Sequence, residues 1–307
     1  MLDPLAKPLC LNPPAKLNLF LEVLRRRADG YHDLDSVFQA VSLCDRLEAW
    51  PVPADQLTLE CDHPELPVDQ RNSVLQAALA LKNQTGRKGG IHFRLRKKIP
   101  TQAGLGGGSS DAAAALLLAN HLLGAGLSRE ELVEVAREVG SDVPFFLYGG
   151  GCRCQGRGDQ VTPLATSGEG RRFTLVLSNL KSNTSQAYQN IRLPQTGEER
   201  TAWPTLEALA NPDLAKLAPT AFNRFESSVF QDLPVLGEIH AALAEIPGII
   251  PRLSGSGSAL WFPSPTIPVS AAQVSQERLA RLAEKYHLRL VETLGLGPVS
   301  FTPPTPP

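Results

Sequence analysis

The glycine-rich segment at residues 104–108 is the part of this sequence best suited to chemistry. Four of its five positions are glycine, and Ser109, Ser110 and Asp111 follow directly. Glycine lets backbone N–H groups approach an anion with no Cβ in the way, and the first turn of a helix adds free N–H groups and the positive end of a dipole. We therefore interpret the segment as a phosphate-binding loop. The alternative is a flexible turn capped by Ser109 or Ser110.

The loop matches neither of the two common nucleotide-binding fingerprints. No Gly-Lys-Ser/Thr sequence follows it, so it is not a Walker A loop. Ser109 stands where the last glycine of a G-x-G-x-x-G fingerprint should be. The sequence therefore argues against a Rossmann oxidoreductase.

Lys16 and Asn18 form a second candidate pair. Residues 15–24 alternate with period two, which predicts a strand with Leu17 and Leu19 on one face and Lys16 and Asn18 on the other. A cationic donor beside an amide suits a phosphate or a catalytic carboxylate. An ordinary solvent-facing lysine is an equally good interpretation of this strand alone, so both remain open at this point.

Asp142 is the candidate carboxylate. It lies between a helix stop at Gly140 and Pro144, with two phenylalanines behind the proline. These apolar surroundings would raise the pKa of the carboxyl group unless a nearby cation offset the loss of solvation. Considered alone, the position favours a structural role in which Asp142 or Ser141 caps a short helix.

Two further segments could contribute to a ligand site. Tyr31 and His32 follow an Asp-Gly turn signal and could stack on a base, although packing at a domain edge is the commoner fate of such rings. Residues 254–258 read Ser-Gly-Ser-Gly-Ser and lie between two predicted strands. They form either a flexible hairpin turn or a second glycine loop that faces the first across a cleft, where ligands usually bind.

The candidate residues lie at the ends of predicted regular elements. Residues 91–97 alternate as a half-buried strand and residues 112–123 form an apolar, buried helix, so the order around the glycine loop is strand, loop, helix. Ser128 and Glu131 form a capping box that starts the next helix. Further strands are predicted at residues 36–44, 46–51 and 57–61, and a further helix at residues 72–86.

The second half of the chain has the element order β-α-β-β-α-β. The predicted elements are a strand at residues 173–179, helical segments between 184 and 246, strands at 249–253 and 258–262, a helix at 270–286 and a strand at 288–294. This is the split βαβ order of a ferredoxin-like domain. A mixed α/β domain therefore ends near residue 160, a ferredoxin-like domain follows, and residues 295–307 are a proline-rich tail that we expect to be disordered.

Composition and charge exclude several classes of protein. The chain has 307 residues, enough for two domains, and a net charge of −1, which gives no basic surplus for nucleic acid or an anionic membrane. No apolar run is long enough to span a bilayer, and residues 1–12 lack the pattern of a secretory signal. The five cysteines include no CxxC pair, so we expect neither a zinc site nor disulfides. The cytoplasm is the simplest compartment, and Cys152 and Cys154 are expected on one face of a strand.

Five motifs in this order resemble those of the GHMP kinase superfamily. They are residues 14–19, 27–32, 100–110, 141–144 and 254–258. The two glycine loops are common to the superfamily, whereas the Ala-Asp-Gly-Tyr-His sequence within residues 27–32 is similar to the 4-diphosphocytidyl-2-C-methyl-D-erythritol kinase family of the non-mevalonate isoprenoid pathway. The resemblance extends from about residue 13 to residue 262.

The resemblance implies an α+β, two-domain GHMP kinase fold. A ribosomal-protein-S5-like α/β domain at residues 1–160 would be followed by a ferredoxin-like domain at residues 161–294, with a cleft between them. The implied activity is ATP-dependent phosphorylation of the 2-hydroxyl of 4-diphosphocytidyl-2-C-methyl-D-erythritol. The expected partner is this small molecule, with no nucleic acid or membrane, and the expected state is a cytoplasmic monomer or weak homodimer. Another GHMP kinase, for homoserine or mevalonate, and a catalytically inactive GHMP-fold binding protein are the alternatives.

The resemblance also implies roles for individual residues. Lys16 and Asp142 would be the catalytic pair, in place of a capping role for Asp142, and Mg²⁺ would bridge the ATP phosphates without metal ligands assigned in the sequence. The implied ATP-binding residues are Pro100, Thr101, Gln102, Ala103, Gly104, Leu105, Gly106, Gly107, Gly108, Ser109, Ser110, Lys97 and Asn72. Of the implied substrate-binding residues, Tyr31 and His32 would hold the cytosine, Asn18 and Thr184 would lie nearby, and Tyr188 would be a second stacking ring.

Two positions depart from the pattern of the family. Residues 223–226, Asn-Arg-Phe-Glu, match its Asn-Asp-x-Glu sequence only in part, and Tyr188 stands where phenylalanine is more usual. Residues beyond 262 match no motif, so no role is assigned to them. Neither departure involves the implied catalytic pair.

Overall fold

The structure is a computed structural model that describes residues 7–165, 168–195, 197–211, 213, 216–264 and 269–299. Its strands are β1 (Leu9–Leu11), β2 (Pro14–Arg26), β3 (His32–Cys44), β4 (Arg46–Val52), β5 (Leu57–Cys61), β6 (Gly90–Arg96), β7 (Gly151–Gly156), β8 (Gln160–Pro163), β9 (Arg172–Leu177), β10 (Phe222–Asn223), β11 (Arg252–Leu253), β12 (Leu260–Pro263) and β13 (Arg289–Leu294). Its helices are α1 (Ser73–Thr85), α2 (Gly107–Leu122), α3 (Arg129–Val139), α4 (Val143–Tyr148), α5 (Thr184–Asn190), α6 (Trp203–Ala210), α7 (Leu217–Thr220), α8 (Glu226–Asp232), α9 (Pro234–Ala244) and α10 (Val269–Lys285).

A long antiparallel hairpin of β2 and β3 forms the centre of one sheet, whose strand order is β10-β2-β3-β7-β8. The alternation predicted for β2 is confirmed, but both faces of the strand are buried. Leu17 packs in an apolar cluster on one side, and on the other side Lys16 is only 4% exposed. The interpretation of Lys16 as a solvent-facing lysine is therefore wrong. Cys152 and Cys154 lie buried on β7, as expected for two residues on one face of a strand.

A second sheet, of order β1-β4-β6-β5, is covered by the helices that precede and follow the glycine loop. Asn72 and Gly86 cap α1, and the predicted capping box of Ser128 and Glu131 starts α3. α2 is buried along most of its length, as its apolar composition predicted, because it packs against α1, α4 and β4 of the sheet. It begins at Gly107 rather than at residue 112, so the two serines lie in its first turn.

The third sheet has the strand order β11-β12-β9-β13, and all of its pairings are antiparallel. Together with the helices between β9 and β11 and between β12 and β13, this order confirms the predicted ferredoxin-like arrangement. β11 is shorter than predicted and covers only Arg252–Leu253.

An apolar cluster joins the first sheet to the third. Leu17 and Val37 of the central hairpin pack with Leu175 and Trp261 of the ferredoxin-like sheet, and all four are fully buried. Burial of side chains of this size stabilises the fold by about 1.5–3 kcal/mol each. The cluster therefore fixes the start of β2, and with it Lys16, relative to the second half of the chain.

Three short strands, β1, β8 and β10, were not predicted. β10 lies within the stretch that was expected to be helical, and it pairs in parallel with β2 of the first sheet. Two residues give no periodicity that sequence analysis could detect. The division of the chain into domains at residue 160 remains a prediction. That residue is the first of β8, which pairs with β7, so a boundary there would separate two paired strands.

The start of the proline-rich tail is ordered, so the expectation of disorder is wrong for residues 295–299. The backbone N–H of Leu296 donates to the carbonyl of Ala40 at 2.8 Å, and that of Val299 donates to the carbonyl of Tyr148 at 2.8 Å. These hydrogen bonds attach the segment to β3 and to the end of α4. The rest of the predicted tail, residues 300–307, lies outside the described residues.

Candidate active site

Lys16 is held in a buried polar cluster near the start of β2. Its Nζ donates to Asn18 Oδ1 at 2.5 Å and lies 4.7 Å from the centre of the Phe38 ring. The side-chain amide of Asn18 in turn donates to Ser36 Oγ at 3.0 Å, and Ser36 donates to the carbonyl of Phe20 at 2.5 Å. This chain of hydrogen bonds across the hairpin gives Lys16 a fixed orientation.

Asp142 supplies the carboxylate that faces Lys16. It occupies the residue before α4, as the sequence predicted, but its side chain makes no capping hydrogen bond. Its Oδ2 instead lies 3.8 Å from Lys16 Nζ. Burial lowers the pKa of the Lys16 ammonium, and the Asp142 carboxylate partly opposes that shift by favouring the charged form. The interpretation of Asp142 as a side-chain cap is therefore wrong.

The glycine loop curves around this pair. Gly104 and Gly106 both have positive φ, 74° and 71°, which only glycine adopts without strain. A Cβ on Gly106 would lie 3.0 Å from Cγ of Lys16 and 2.9 Å from the ring of Phe146. The backbone of the loop therefore lies too close to the lysine side chain to leave room for a Cβ at Gly106. The backbone N–H of Lys16 also donates to the carbonyl of Leu105 at 3.0 Å.

The Ser254–Ser258 segment is a second loop packed on the first. Ser254 Oγ donates to the carbonyl of Gly104 at 3.0 Å, and a Cβ on Gly104 would lie 1.9 Å from the carbonyl oxygen of Ser254. The amide of Asn223 donates to the carbonyls of Leu253 and Gly255, both at 2.8 Å. Residues 254–258 do connect the paired strands β11 and β12 as a hairpin. They also form a second loop at the first, as the other interpretation expected, but the two loops pack directly on each other rather than across a cleft.

A cavity of about 560 Å³ lies along the glycine loop. Its lining includes every residue from Pro100 to Ser109, together with Lys97 and Asn72, and it reaches Lys16 and Asp142 at one end. Ser110, the remaining residue implied for ATP, is buried behind this lining. The structure thus brings together the residues implied for ATP, with Ser110 beneath the cavity wall.

Lys97 and Asn72 already have partners in this structure. The Lys97 ammonium forms ion pairs with Asp45 and, at 2.6 Å, with Asp111, and all three groups are buried. Burial raises the pKa of Asp111 to about 7, although the charge of Lys97 opposes the shift. The Asn72 amide donates to the carbonyl of Pro67, and its oxygen caps α1 by accepting from Val74. Both side chains therefore support the walls of the cavity.

A neighbouring cavity of about 790 Å³ contains the implied cytidine-binding residues. Tyr31, His32, Thr184 and Tyr188 line it, whereas Asn18 lines only the first cavity. The rings of His32 and Tyr188 are stacked, with centres 5.0 Å apart and an angle of 23° between their planes. Asp142 lines both cavities, so the carboxylate lies where the two meet.

The protonation of the two stacked residues follows from their burial. Burial lowers the pKa of His32, and the nearby charge of Arg26 lowers it further, so the imidazole is neutral at pH 7. Burial also raises the pKa of Tyr188, and the negative charge of Asp142 adds to the shift, so its hydroxyl keeps its proton. Both residues therefore present neutral hydrogen-bonding groups to the second cavity.

Sequence analysis missed several residues that shape the site. Phe225 lines the first cavity and meets the Tyr188 ring edge-on at 4.8 Å, while Glu226 accepts from the backbone N–H of Leu253 at 3.0 Å. These residues belong to the partly matching segment 223–226, which was the available signal. Arg157 lines the second cavity and lies over the ring of Tyr31, and no sequence signal pointed to it.

Within the described parts of the chain, no three histidine, cysteine or carboxylate side chains are grouped as metal ligands. Among the helices that the structure describes, none is long and apolar enough to cross a membrane.

The chain is similar to known kinases over nearly its whole length. The model of the GHMP kinases N terminal domain matches residues 72–150. A 4-diphosphocytidyl-2-C-methyl-D-erythritol kinase from Synechococcus elongatus is 35% identical, covering 95% of this chain and 97% of the relative. A crystal structure of 4-(cytidine 5'-diphospho)-2C-methyl-D-erythritol kinase is 34% identical with a TM-score of 0.74, covering 94% of this chain and 100% of that one. A homoserine kinase structure from Cytophaga hutchinsonii, with a TM-score of 0.72, is 17% identical, covers 97% of each chain and shares the fold.

Proposed function

Because the chain belongs to the 4-diphosphocytidyl-2-C-methyl-D-erythritol kinase family, we propose that it transfers the γ-phosphoryl group of ATP to the 2-hydroxyl of that substrate, with Lys16 and Asp142 as the catalytic pair. The observation that best supports these roles is the 3.8 Å approach of the Lys16 ammonium to the Asp142 carboxylate. Because Asp142 also lines both cavities, a hydroxyl from one could reach a phosphate in the other beside it.

In the proposed reaction Asp142 accepts the proton of the substrate hydroxyl. The hydroxyl oxygen forms a bond to the γ-phosphorus as the bond between that phosphorus and the β–γ bridging oxygen breaks, which leaves ADP. Lys16 pairs with the Asp142 carboxylate and offsets the negative charge on the moving phosphoryl group. Its fixed orientation matters because phosphoryl transfer depends mainly on positioning and charge stabilisation.

The glycine loop is the proposed binding site of the ATP phosphates. α2 begins at Gly107, so its free N–H groups and positive dipole end face the same region as the loop. A Cβ on Gly104 would collide with the second loop, and one on Gly106 would collide with Lys16 or Phe146. Glycine is therefore required where the backbone must pass between the phosphate site and these neighbours.

The first turn of α2 also offers oxygen atoms that fit a magnesium ion. Ser110 Oγ and Asp111 Oδ1 are buried and have no hydrogen-bond partner among the described residues. Hydroxyl and carboxylate oxygens, together with ATP phosphates, are the ligands that magnesium prefers. We propose that Ser110 and Asp111 hold the ion, which would neutralise phosphate charge when bound.

Tyr31, His32 and Tyr188 are the proposed cytidine site. Neutral His32 offers one hydrogen-bond donor and one acceptor, and the two tyrosine rings offer faces for stacking. Stacking of a base on an aromatic ring contributes about 1–3 kcal/mol. Thr184, which shares a 2.9 Å hydrogen bond with Ser256, connects this site to the second glycine loop.

The proposed enzyme would act in the cytoplasm as a monomer or weak homodimer. All five cysteines are free thiols, which fits a reducing compartment. Both members of the catalytic pair and both loops come from one chain, so the site needs no second copy.

An ATP-consumption assay with 4-diphosphocytidyl-2-C-methyl-D-erythritol tests the proposal, with homoserine and mevalonate as alternative substrates. We expect turnover with the first and none with the other two. Homoserine or mevalonate turnover would favour another GHMP kinase, and the absence of turnover with all three would favour a catalytically inactive binding protein. Tyr31→Ala separates the kinases further, because it should raise KM only for a substrate that carries a base.

A further inference from the structure

We propose that Arg157 is a positioning residue for substrate recognition, which holds the ring of Tyr31 at the mouth of the second cavity so that the ring can stack on the base. The inference rests on the proposed function. It assigns Arg157 a role that acts through Tyr31 rather than through direct contact with the substrate.

Tyr31 needs such support because little else holds its ring. The backbone of Tyr31 is fixed in the turn between β2 and β3, since its N–H donates to Asp29 Oδ1 at 3.1 Å and its carbonyl accepts from Arg27 at 2.8 Å. Its side chain is nevertheless one of the most exposed large rings in the described residues, at 54%. An aromatic ring in that position has several accessible rotamers, and ordering it on binding reduces affinity.

Arg157 supplies a flat surface against this ring. Its Cζ lies 5.0 Å from the centre of the Tyr31 ring, within the range of a cation–π contact. The planar guanidinium group stacks on aromatic faces in a way that a lysine ammonium does not. Because the guanidinium covers one side of the ring, the remaining surface of the ring is available to a base.

Arg157 is itself held in place by Asp159. The backbone N–H of Arg157 donates to Asp159 Oδ1 at 3.1 Å, and its Nη2 donates to Asp159 Oδ2 at 3.3 Å. Gly156 and Gly158, both with positive φ, form the tight turn between β7 and β8 that presents the arginine. The charge of Arg157 is thus already paired, which makes it a better support for the ring than a free site for the substrate diphosphate.

The test is a double-mutant cycle on Arg157 and Tyr31, with KM and kcat measured for both substrates. Arg157→Ala should raise KM for the cytidine substrate by about two- to five-fold, the range of an exposed cation–π contact, while kcat and the KM for ATP stay the same within error. In the Tyr31→Ala background the same change should have no further effect. An equal rise in KM in both backgrounds would overturn the inference, as would an unchanged KM in the single variant.

Inhibition by free cytidine, which has no phosphate groups, distinguishes the two ways in which Arg157 could act. Arg157→Ala should weaken inhibition by cytidine by the same factor as it raises KM for the substrate. If cytidine inhibition is unchanged while KM rises, Arg157 binds the diphosphate directly and the inference is wrong. If the wild-type protein does not turn over the cytidine substrate at all, the proposed function fails instead.

Arg94→Ala is the matched control. The Cζ of Arg94 also lies 5.0 Å from an aromatic ring centre, that of Trp50, and it also has a carboxylate partner, Glu60. Arg94 lines neither cavity. Arg94→Ala removes an equivalent contact away from both cavities, so it should leave both KM values unchanged. A rise in KM in Arg94→Ala would mean that the effect of Arg157→Ala comes from general destabilisation of the protein.

Discussion

Lys16 combines two opposing influences in one side chain. Its burial disfavours the charged ammonium, whereas Asp142 and the amide oxygen of Asn18 favour it. In the proposed mechanism the ammonium would need no large rearrangement to meet developing negative charge, because Asn18 and Ser36 already fix its position. The same geometry gives Asp142 a cationic partner instead of a capping role.

Asp142→Asn should reduce kcat by about 10²- to 10⁴-fold while leaving ATP affinity unchanged. The amide cannot accept the hydroxyl proton, but it keeps the shape of the carboxyl group. Steady-state kinetics and ATP titration check the two halves of this prediction. Glu134→Gln, which replaces a surface carboxylate paired with Arg137, is the control and should retain full activity. A variant Asp142→Asn with near-normal kcat would remove Asp142 from the mechanism.

Asp111→Asn should change how stability depends on pH. Burial raises the pKa of Asp111 in the folded protein to about 7 from an ordinary value of 3.8, so between these values the folded state holds a proton that the unfolded state has lost. The contribution of Asp111 to stability therefore falls as pH rises from about 4 to about 7 and is constant above.

Denaturant unfolding of both proteins from pH 4 to pH 9 measures this effect. The wild type should lose stability relative to Asp111→Asn by up to a few kcal/mol across the lower part of that range. A difference that stays constant with pH would show that the carboxyl group ionises normally in the folded state.

At the scale of elements, the site is formed by two loops that pack against each other. The glycine loop connects β6 to α2, and the second loop connects β11 to β12. Ser254 donates to the carbonyl of Gly104, and the backbone N–H of Ala259 donates to the carbonyl of Ala103 at 3.0 Å. Neither loop therefore has its observed shape independently of the other.

Gly104→Ala should abolish ATP binding and destabilise the fold. A Cβ at this position would lie 1.9 Å from the carbonyl oxygen of Ser254, and the φ of 74° is strained for alanine. Calorimetric titration with ATP and thermal unfolding test this prediction.

Gly124→Ala is the control for Gly104→Ala. Gly124 also has a positive φ, 58°, but a Cβ there would meet nothing within 4 Å. It should show only the cost of backbone strain, about 1 kcal/mol or slightly more, with normal ATP binding. If both variants bind ATP equally well, the glycine loop does not need its contact with the second loop in order to bind ATP.

At the scale of the whole molecule, the ferredoxin-like half contacts the first sheet in two places, at β10 in the middle of its sequence and after its last strand. β10 pairs with β2, and residues 295–299 follow β13 to bind β3 and the end of α4. Gln39 on β3 donates to the carbonyl of Leu296 at 2.9 Å, and Arg129 donates to the carbonyl of Val299 at 2.9 Å. These contacts, with the cluster around Trp261, fix how the two halves meet.

A variant that ends at residue 294 should be less stable than one that ends at residue 299. The shorter variant loses the backbone hydrogen bonds of Leu296 and Val299 and the bonds that Gln39 and Arg129 donate to their carbonyls, worth about 1 kcal/mol each, so its Tm should be lower by roughly 3–6 °C. Thermal unfolding of both variants beside the full chain measures the difference. Equal Tm values for the two variants would mean that residues 295–299 contribute nothing to stability.

Much of the local structure follows from short patterns in the sequence. The position of α1, the capping box of α3, the strand before the glycine loop and the β-α-β-β-α-β order all depend on residues close together in the chain, and all were predicted correctly. The prediction failed for β10 and for residues 295–299. Both are short segments that are ordered only because a distant strand offers them hydrogen-bond partners.

The types of the proposed catalytic residues, and the glycine-rich composition of the proposed phosphate-binding loop, were determined by the sequence itself. Considered alone, though, it left a surface position for Lys16 open and favoured a capping role for Asp142. Only the tertiary structure decided that the two side chains meet, because their 3.8 Å separation depends on how a hairpin, a loop and a short helix pack together. Periodicity and capping signals describe the conformation of neighbouring residues, whereas contact between distant ones depends on the packing of the whole chain.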